Sequence, residues 1–163
     1  MRSQPATSAR AIQDQFPDQP CWGCGPNNPH GLQIKSYWSG DTSVCTWQPE
    51  PYYAGWPGVL NGGILASLVD CHSVCTAISD AEGSSGDGDC PVVFATGSLT
   101  ISYLRPVPIH SAVQLAARIT ERTPRKTRVE CTVSAGGELC ARAEVLAIRV
   151  VAKPDGMVAR VNA

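Results

Sequence analysis

Charge is scarce in this chain, and so are large aromatic rings. Of 163 residues, 17% are charged and 6% are Phe, Trp or Tyr, with a net charge of −1. Soluble domains average roughly 25% charged residues, so the shortfall predicts surface covered by a second subunit or a ligand. The near-neutral balance excludes the electrostatic footprint of a nucleic-acid or anionic-membrane binder. No uninterrupted apolar run approaches the roughly 18 residues of a membrane span. Residues 1–20 are polar and hold no apolar stretch of the kind an export signal needs, which predicts a cytoplasmic protein. No G-x-S-x-G elbow, H-E-x-x-H pair or Walker loop occurs, and the Gly/Ser/Asp run over 82–89 lacks phosphate-loop spacing. No cofactor is expected, and there is no internal repeat.

What is present suits one domain. Folding a chain of this length removes roughly 70% of its unfolded surface from water, enough for a core without metal or disulfide staples. Eight cysteines are then most simply small buried hydrophobes in a reducing compartment. Cys21 and Cys24 form the only C-x-x-C, whereas a zinc ribbon wants a second such pair. The other six stand singly, at 45, 71, 75, 90, 131 and 140. No metal is therefore assigned; the partial ligand set, if any, would be Cys21, Cys24 and His30.

Along the chain, 1–20 reads as a flexible arm, 21–153 as the domain and 154–163 as a tail. Residues 21–31 are too rich in Gly, Pro and Asn for a regular element and predict a compact loop. A hairpin is expected over 32–47, interrupted at Ser39-Gly40-Asp41. Next comes an irregular segment with Tyr52, Tyr53 and Trp56 beside prolines, where the aromatics either pack or line a pocket. Ile64, Leu68, Cys71, Cys75 and Ile78, widened by Leu65 and Val69, then recur at helical spacing over 62–79. The opposite side is small: Ala66, Ser67, Ser73 and Ala77. With Asp70 as its single carboxylate, this helix must be enclosed nearly all round. Four segments of alternating pattern follow, around 92–104, 113–120, 129–133 and 139–151. A long buried helix followed by consecutive antiparallel strands predicts an α+β fold, a curved sheet wrapped around a central helix.

Asp70 is the leading chemical candidate. A carboxylate on an otherwise uncharged, small-residue face is costly without a partner or a role, and it could serve as a general base or nucleophile. Gly62 and Gly63 present bare backbone N–H groups at the positive helix end, and Asn61 suits the N-cap. Eight residues separate Gly62 from Asp70, about 12 Å, so one helix cannot apply both to one substrate. Antiparallel helices of a symmetric dimer could. His72 points elsewhere and reads as a core histidine. Arg125, Lys126 and Arg128 form the densest basic cluster, either solvated charge or a grip on a phosphorylated ligand.

At these residues the sequence resembles the hotdog-fold thioesterases of the phenylacetate-degradation type. The run Gly58-x-x-Asn61-Gly62-Gly63-x-x-Ala66-x-x-x-Asp70 is similar to that family's G-x-x-H-G-G-x-x-A-x-x-x-D, and the loop from Cys21 to Leu32 resembles an N-terminal signature of one branch. The resemblance implies a hotdog fold and hydrolysis of an acyl-CoA thioester at the interface of a homodimer or a dimer of dimers. Asp70 would activate water or attack directly, and Gly62 or Gly63 of the partner chain would polarise the carbonyl. Thr96 falls where relatives often have a water-positioning Ser. Arg125, Lys126 and Arg128 would meet CoA phosphates, and Trp56 would line the acyl site. Asn61 replaces the family His, and Gly55 an Asn of some relatives. Those departures support an alternative, a non-catalytic acyl-CoA or CoA-binding hotdog protein. They also count against a dehydratase, which would want a His at the helix start.

Overall fold

The computed structural model describes residues 10–84, 92–152 and 158–160. The helix α1 spans Gly62–Ser84, five residues beyond the expected 62–79. By length and composition it is apolar enough to cross a membrane, although its small polar residues break up any continuous apolar run. Here a sheet encloses it instead, which is why it lacks an ordinary charged outer face.

The strands are β1 (Tyr37–Ser39), β2 (Thr42–Trp47), β3 (Ala54–Trp56), β4 (Val59–Leu60), β5 (Val93–Tyr103), β6 (Val113–Arg122), β7 (Lys126–Ala135), β8 (Glu138–Ala152) and β9 (Val158–Arg160). The main sheet runs β1-β2-β6-β7-β8-β5, every pairing antiparallel, with β9 beside β8. This is the α+β arrangement that the patterning implied. The β7–β8 hairpin turns on Gly136 and Gly137, both at positive φ (59° and 82°). A two-residue turn of this hand needs positive φ at both central positions, and glycine adopts it without a Cβ penalty.

Inward-facing residues of β6, β7 and β8 are short: Val113, Leu115 and Ala117; Val129 and Val133; Ala141, Val145 and Ala147, all buried in one core with Leu65, Leu68 and Val69 of α1. Short side chains let the helix lie close against the sheet. Each fully buried Val or Leu contributes about 1.5–3 kcal/mol.

Five expectations need correction. The buried stripe of α1 runs through Leu65, Leu68, Val69, His72, Ser73 and Thr76, about a residue out of phase with the one read from the sequence. Ser73 and Ala77, expected on a small face open to a second subunit, are 0% exposed inside this chain. Nor is all of 1–20 a free arm. Residues 12–15 form a 3-10 turn with Ala11, Ile12 and Gln13 buried. Ile12 N–H donates to the Ser36 carbonyl (2.8 Å), and the Gln13 amide exchanges two bonds with Ser36. Part of the 154–163 tail pairs as β9 with 150–152. Glu82, Gly83 and Ser84, expected to open a loop over 82–89, belong to α1, and the remaining residues of that loop lie outside the described residues.

The phase shift has a polar cause. His72, 0% exposed, places Nε2 3.2 Å from the Ser43 carbonyl and Nδ1 2.8 Å from Ser36 Oγ. A carbonyl only accepts, so Nε2 carries the proton and Nδ1 accepts from the Ser36 hydroxyl. Burial, opposed by the Ser43 bond, holds the imidazole down to about 4, so it stays neutral at pH 7. His72→Leu removes the Nε2–H donor from the Ser43 carbonyl and leaves the Ser36 hydroxyl proton without its acceptor in the core. It is expected to destabilise the fold by about 1–3 kcal/mol, read as a lower urea midpoint at unchanged slope. An unchanged midpoint would show that these contacts contribute nothing net.

Candidate active site

The start of α1 is set by a small hairpin. β3 and β4 turn at Gly58 (φ 79°) and deliver Asn61, whose N–H donates to the Tyr53 carbonyl (2.9 Å). Gly55 packs directly on Asn61: a Cβ there would stand 3.0 Å from Asn61 Cα. Asn61 Oδ1 accepts from Gly63 N–H (2.8 Å) and Ile64 N–H (3.3 Å), a side-chain N-cap. The two glycines are thereby distinguished. Gly63 N–H is occupied by the cap, while Gly62 N–H has no acceptor among the described residues. The Gly62 carbonyl accepts from Tyr103 Oη (2.9 Å). Beside Gly62 opens a cleft of about 320 Å³ lined by Leu60, Leu65, Tyr103, Leu104, Pro106 and Val107 among others. An amide donor at a positive helix end thus faces a mostly apolar cleft, a setting that favours a polarised carbonyl.

Asp70 sits two turns along, half-buried. Thr96 Oγ1 donates to its Oδ1 at 2.6 Å. A β-bulge in β5 makes this contact: the register against β8 shifts between Thr96 and Ser98, with Gly97 as the extra residue. A Cβ on Gly97 would lie 2.5 Å from Ile148 Cγ1, so the tight bend uses a residue without one. Bulges re-aim a side chain in this way. Desolvation pushes the Asp70 carboxyl up, the Thr96 bond pulls it down, and Cys24 pushes it up further. The result is an oriented carboxylate with a second oxygen available for a proton.

The other candidates are separated by the fold. Trp56 is 77% exposed on β3 and Tyr52 is similarly open, whereas Tyr53 is half-buried between the Trp47 ring (5.4 Å) and Tyr52 (4.6 Å). Arg128 is held between Glu121 (3.3 Å) and Glu144 (2.5 Å), and Lys126 lies 3.9 Å from Glu121. Of the basic cluster, Arg125 alone has no acidic partner among the described residues. His30 is exposed in the loop. The thiols of Cys21, Cys24 and Cys71, by contrast, lie within 4.8 Å of one another, and Cys75 Sγ is 3.6 Å from Cys24 Sγ. The sequence reading had given Cys71 and Cys75 to the core.

A sheet wrapped on one helix, with an uncapped amide at the helix start and an oriented carboxylate two turns on, defines a hotdog-fold protein of the thioesterase type. The chain belongs to the thioesterase superfamily, whose family model matches residues 57–142. It is 33% identical to a thioesterase superfamily protein from Shewanella loihica PV-4, at a TM-score of 0.60 over 76% of this chain and 96% of that one. The PaaI protein of the Escherichia coli phenylacetic acid degradation operon shares the fold, at a TM-score of 0.62 over 74% and 81% of the two chains, with 16% identity. Acyl-coenzyme A thioesterase THEM4 of Rattus norvegicus is 26% identical over 112 residues, covering 69% of this chain and 44% of that protein. The chain therefore spans less than half the length of the curated relatives it matches.

Asn61→Ala removes the cap and is expected to lower stability by about 1 kcal/mol, read by thermal unfolding, while Asn61→Asp retains the wild-type Tm. Equal melting of all three proteins would mean that the Gly63 and Ile64 amides are served by water as well as by Asn61.

Proposed function

We propose that this protein hydrolyses acyl-CoA thioesters with Asp70 as general base, across the interface of a homodimer. The observation that carries the reading is the Thr96–Asp70 bond, a positioned carboxylate on a helix with no other charge through its first eighteen residues. The name borne by the THEM4 relatives supports acyl-CoA as the substrate class. Asp70 takes a proton from water, and the water oxygen attacks the thioester carbonyl. The charge developing on the carbonyl oxygen is met by Gly62 N–H of the partner chain, and the thiolate of CoA departs. Thr96 fixes the carboxylate and is a positioning residue.

The dimer is supported by an edge. β5 closes one end of the sheet with one side unpaired, leaves Leu99 and Ile101 half-covered, and leads to exposed Tyr103 and Leu104. An unpaired apolar edge is a ready template for a second copy. The acyl group would enter the cleft beside Gly62, near exposed Trp56, and Arg125 is the member of the 125–128 basic cluster still available to a CoA phosphate among the described residues. A dimer of dimers is compatible with the same edge.

Asp70→Asn is expected to reduce kcat on a panel of acyl-CoAs by about a hundredfold or more, and Thr96→Val by about tenfold at unchanged KM. Turnover of Asp70→Asn equal to wild type removes Asp70 from the mechanism. Gly62→Pro deletes the donor while suiting the first helical position, and should lower kcat about 10²–10³-fold. Refolded together in equal amounts, the Gly62→Pro and Asp70→Asn chains should regain about a quarter of wild-type activity, because one of the two sites in each mixed dimer is intact. No recovery from two inactive chains would place Gly62 and Asp70 in the same chain's site.

A further inference from the structure

We propose that Cys21, Cys24, Cys71 and Cys75 form a tetrathiolate site for a single zinc ion, joining the N-terminal loop to the central helix. The pairs come from two spacings. Cys21-x-x-Cys24 lies in the loop, and Cys71-x-x-x-Cys75 lies on α1, where residues four apart share one face. Cys21 Sγ is 3.7 Å from Cys71 Sγ, and Cys24 Sγ is 3.6 Å from Cys75 Sγ. A tetrahedral zinc with Zn–S bonds of about 2.3 Å sets its sulfurs about 3.8 Å apart. Cys21, Cys24 and Cys71 already lie within 4.8 Å of one another, while buried Cys75 stands outside that mutual set and reaches it through Cys24, so binding draws its thiol inward.

The loop is shaped for close approach to these sulfurs. A Cβ on Gly23 would stand 2.2 Å from Cys71 Sγ, and one on Gly25 would stand 2.3 Å from the Gln19 carbonyl. Gly25 N–H donates to the Cys21 carbonyl (2.8 Å), closing the turn that points both loop thiols the same way. Leu32 N–H and Ile34 N–H then bind the Trp22 and Gly23 carbonyls (2.9 and 3.2 Å) and dock the loop. Gln33, at φ 53°, adds a side-chain bond to the Gly25 carbonyl (3.0 Å). Thiols are weak hydrogen-bond partners for one another, so S–H contacts alone give little reason for such a fitted loop.

Binding replaces the thiol protons with the ion, and the protons leave to solvent. The site adjoins Asp70 in sequence but lies on another face of the helix. It is independent of the hydrolysis reading, because metal content is measured without turnover.

Full-length protein purified under reducing conditions is expected to carry one zinc per chain by elemental analysis. Replacement with cobalt should give the visible absorption and sulfur-to-metal charge-transfer bands of a tetrahedral thiolate site. Cys24→Ser and Cys21→Ser should each weaken zinc binding by about a hundredfold or more, above the ten- to hundredfold that outer-shell losses produce. Cys131→Ser, altering a buried thiol of β7, should keep the metal. Chelation should lower the Tm of wild type and leave that of Cys24→Ser unmoved, which separates metal loss from misfolding. The proposal is overturned if reduced, zinc-supplemented protein binds no stoichiometric zinc, or if both loop variants bind as wild type does. It is equally overturned if non-reducing mass analysis of protein freshly isolated from cells finds Cys21–Cys71 and Cys24–Cys75 disulfides in place of metal.

Discussion

Enclosure of one nearly uncharged helix by a sheet of short side chains is the constraint on which everything else depends. α1 can be apolar through most of its length because β5 to β8 take water away from it, and the sheet can approach closely because its inner face is built of Val and Ala. The same closeness forbids large polar side chains beneath the helix. The polar groups that do enter, His72, Ser43, Ser36 and Thr76, are therefore small or fully bonded to one another: Ser43 Oγ meets Thr76 Oγ1 at 2.5 Å, and Thr76 also donates to the His72 carbonyl at 2.7 Å. A satisfied polar network at the centre of the helix fixes its rotation about its own axis. That rotation decides which residues remain at the surface, and Asp70 and Cys71 are among them.

Much of this was legible in the sequence. Helical spacing located α1, and alternation located the four long strands. The phase of the helix was not legible. Apolar content alone favours Cys71 and Ile78 as core, whereas burial of His72 and Thr76 depends on partners from Ser36 and Ser43, far away in the chain, and Ser73 is buried with its Oγ unpartnered among the described residues. The basic cluster failed for a similar reason. Arg125, Lys126 and Arg128 look like one patch in order, but strand register brings Glu121 and Glu144 to Arg128 and makes most of that charge internal to the sheet surface. Exposed pairs of this sort contribute little stability, yet they withdraw a cation from ligand binding.

The cysteines hold a cluster that spacing alone conceals, although Cys75 is core and Cys71 packs against it as expected. A second metal-binding pair was sought at loop spacing, as in a zinc ribbon, and none exists. Helical geometry accepts a different spacing, since residues 71 and 75 stand one turn apart on one face. The signal was present as two of the apolar-stripe positions, and the low polarity of cysteine concealed it: the residue type that reads most easily as core is also the softest metal ligand. Gly23 and Gly25 were the independent clue. Glycine inside a C-x-x-C-x loop marks backbone pressed against something: Gly23 is pressed against Cys71 Sγ of the helix and Gly25 against the backbone of Gln19 and Cys21.

The departure at Asn61 is best judged by what the helix start needs. An oxyanion donor must be an N–H that the fold itself leaves unused, and the first turn of a helix has four such groups. Asn61 takes those of Gly63 and Ile64 and is pinned in place by the Tyr53 carbonyl and by the contact with Gly55, so the turn is rigid before any ligand arrives. The amide of Gly62 is what remains, directed at an apolar cleft. A histidine at this position could also titrate, but capping by an amide side chain is insensitive to pH and places no charge beside a developing oxyanion. The replacement thus preserves what the proposed polarisation of a thioester needs from the helix start, a preorganised and unshared N–H. In that proposed mechanism, proton transfer falls entirely to the carboxylate that Thr96 holds.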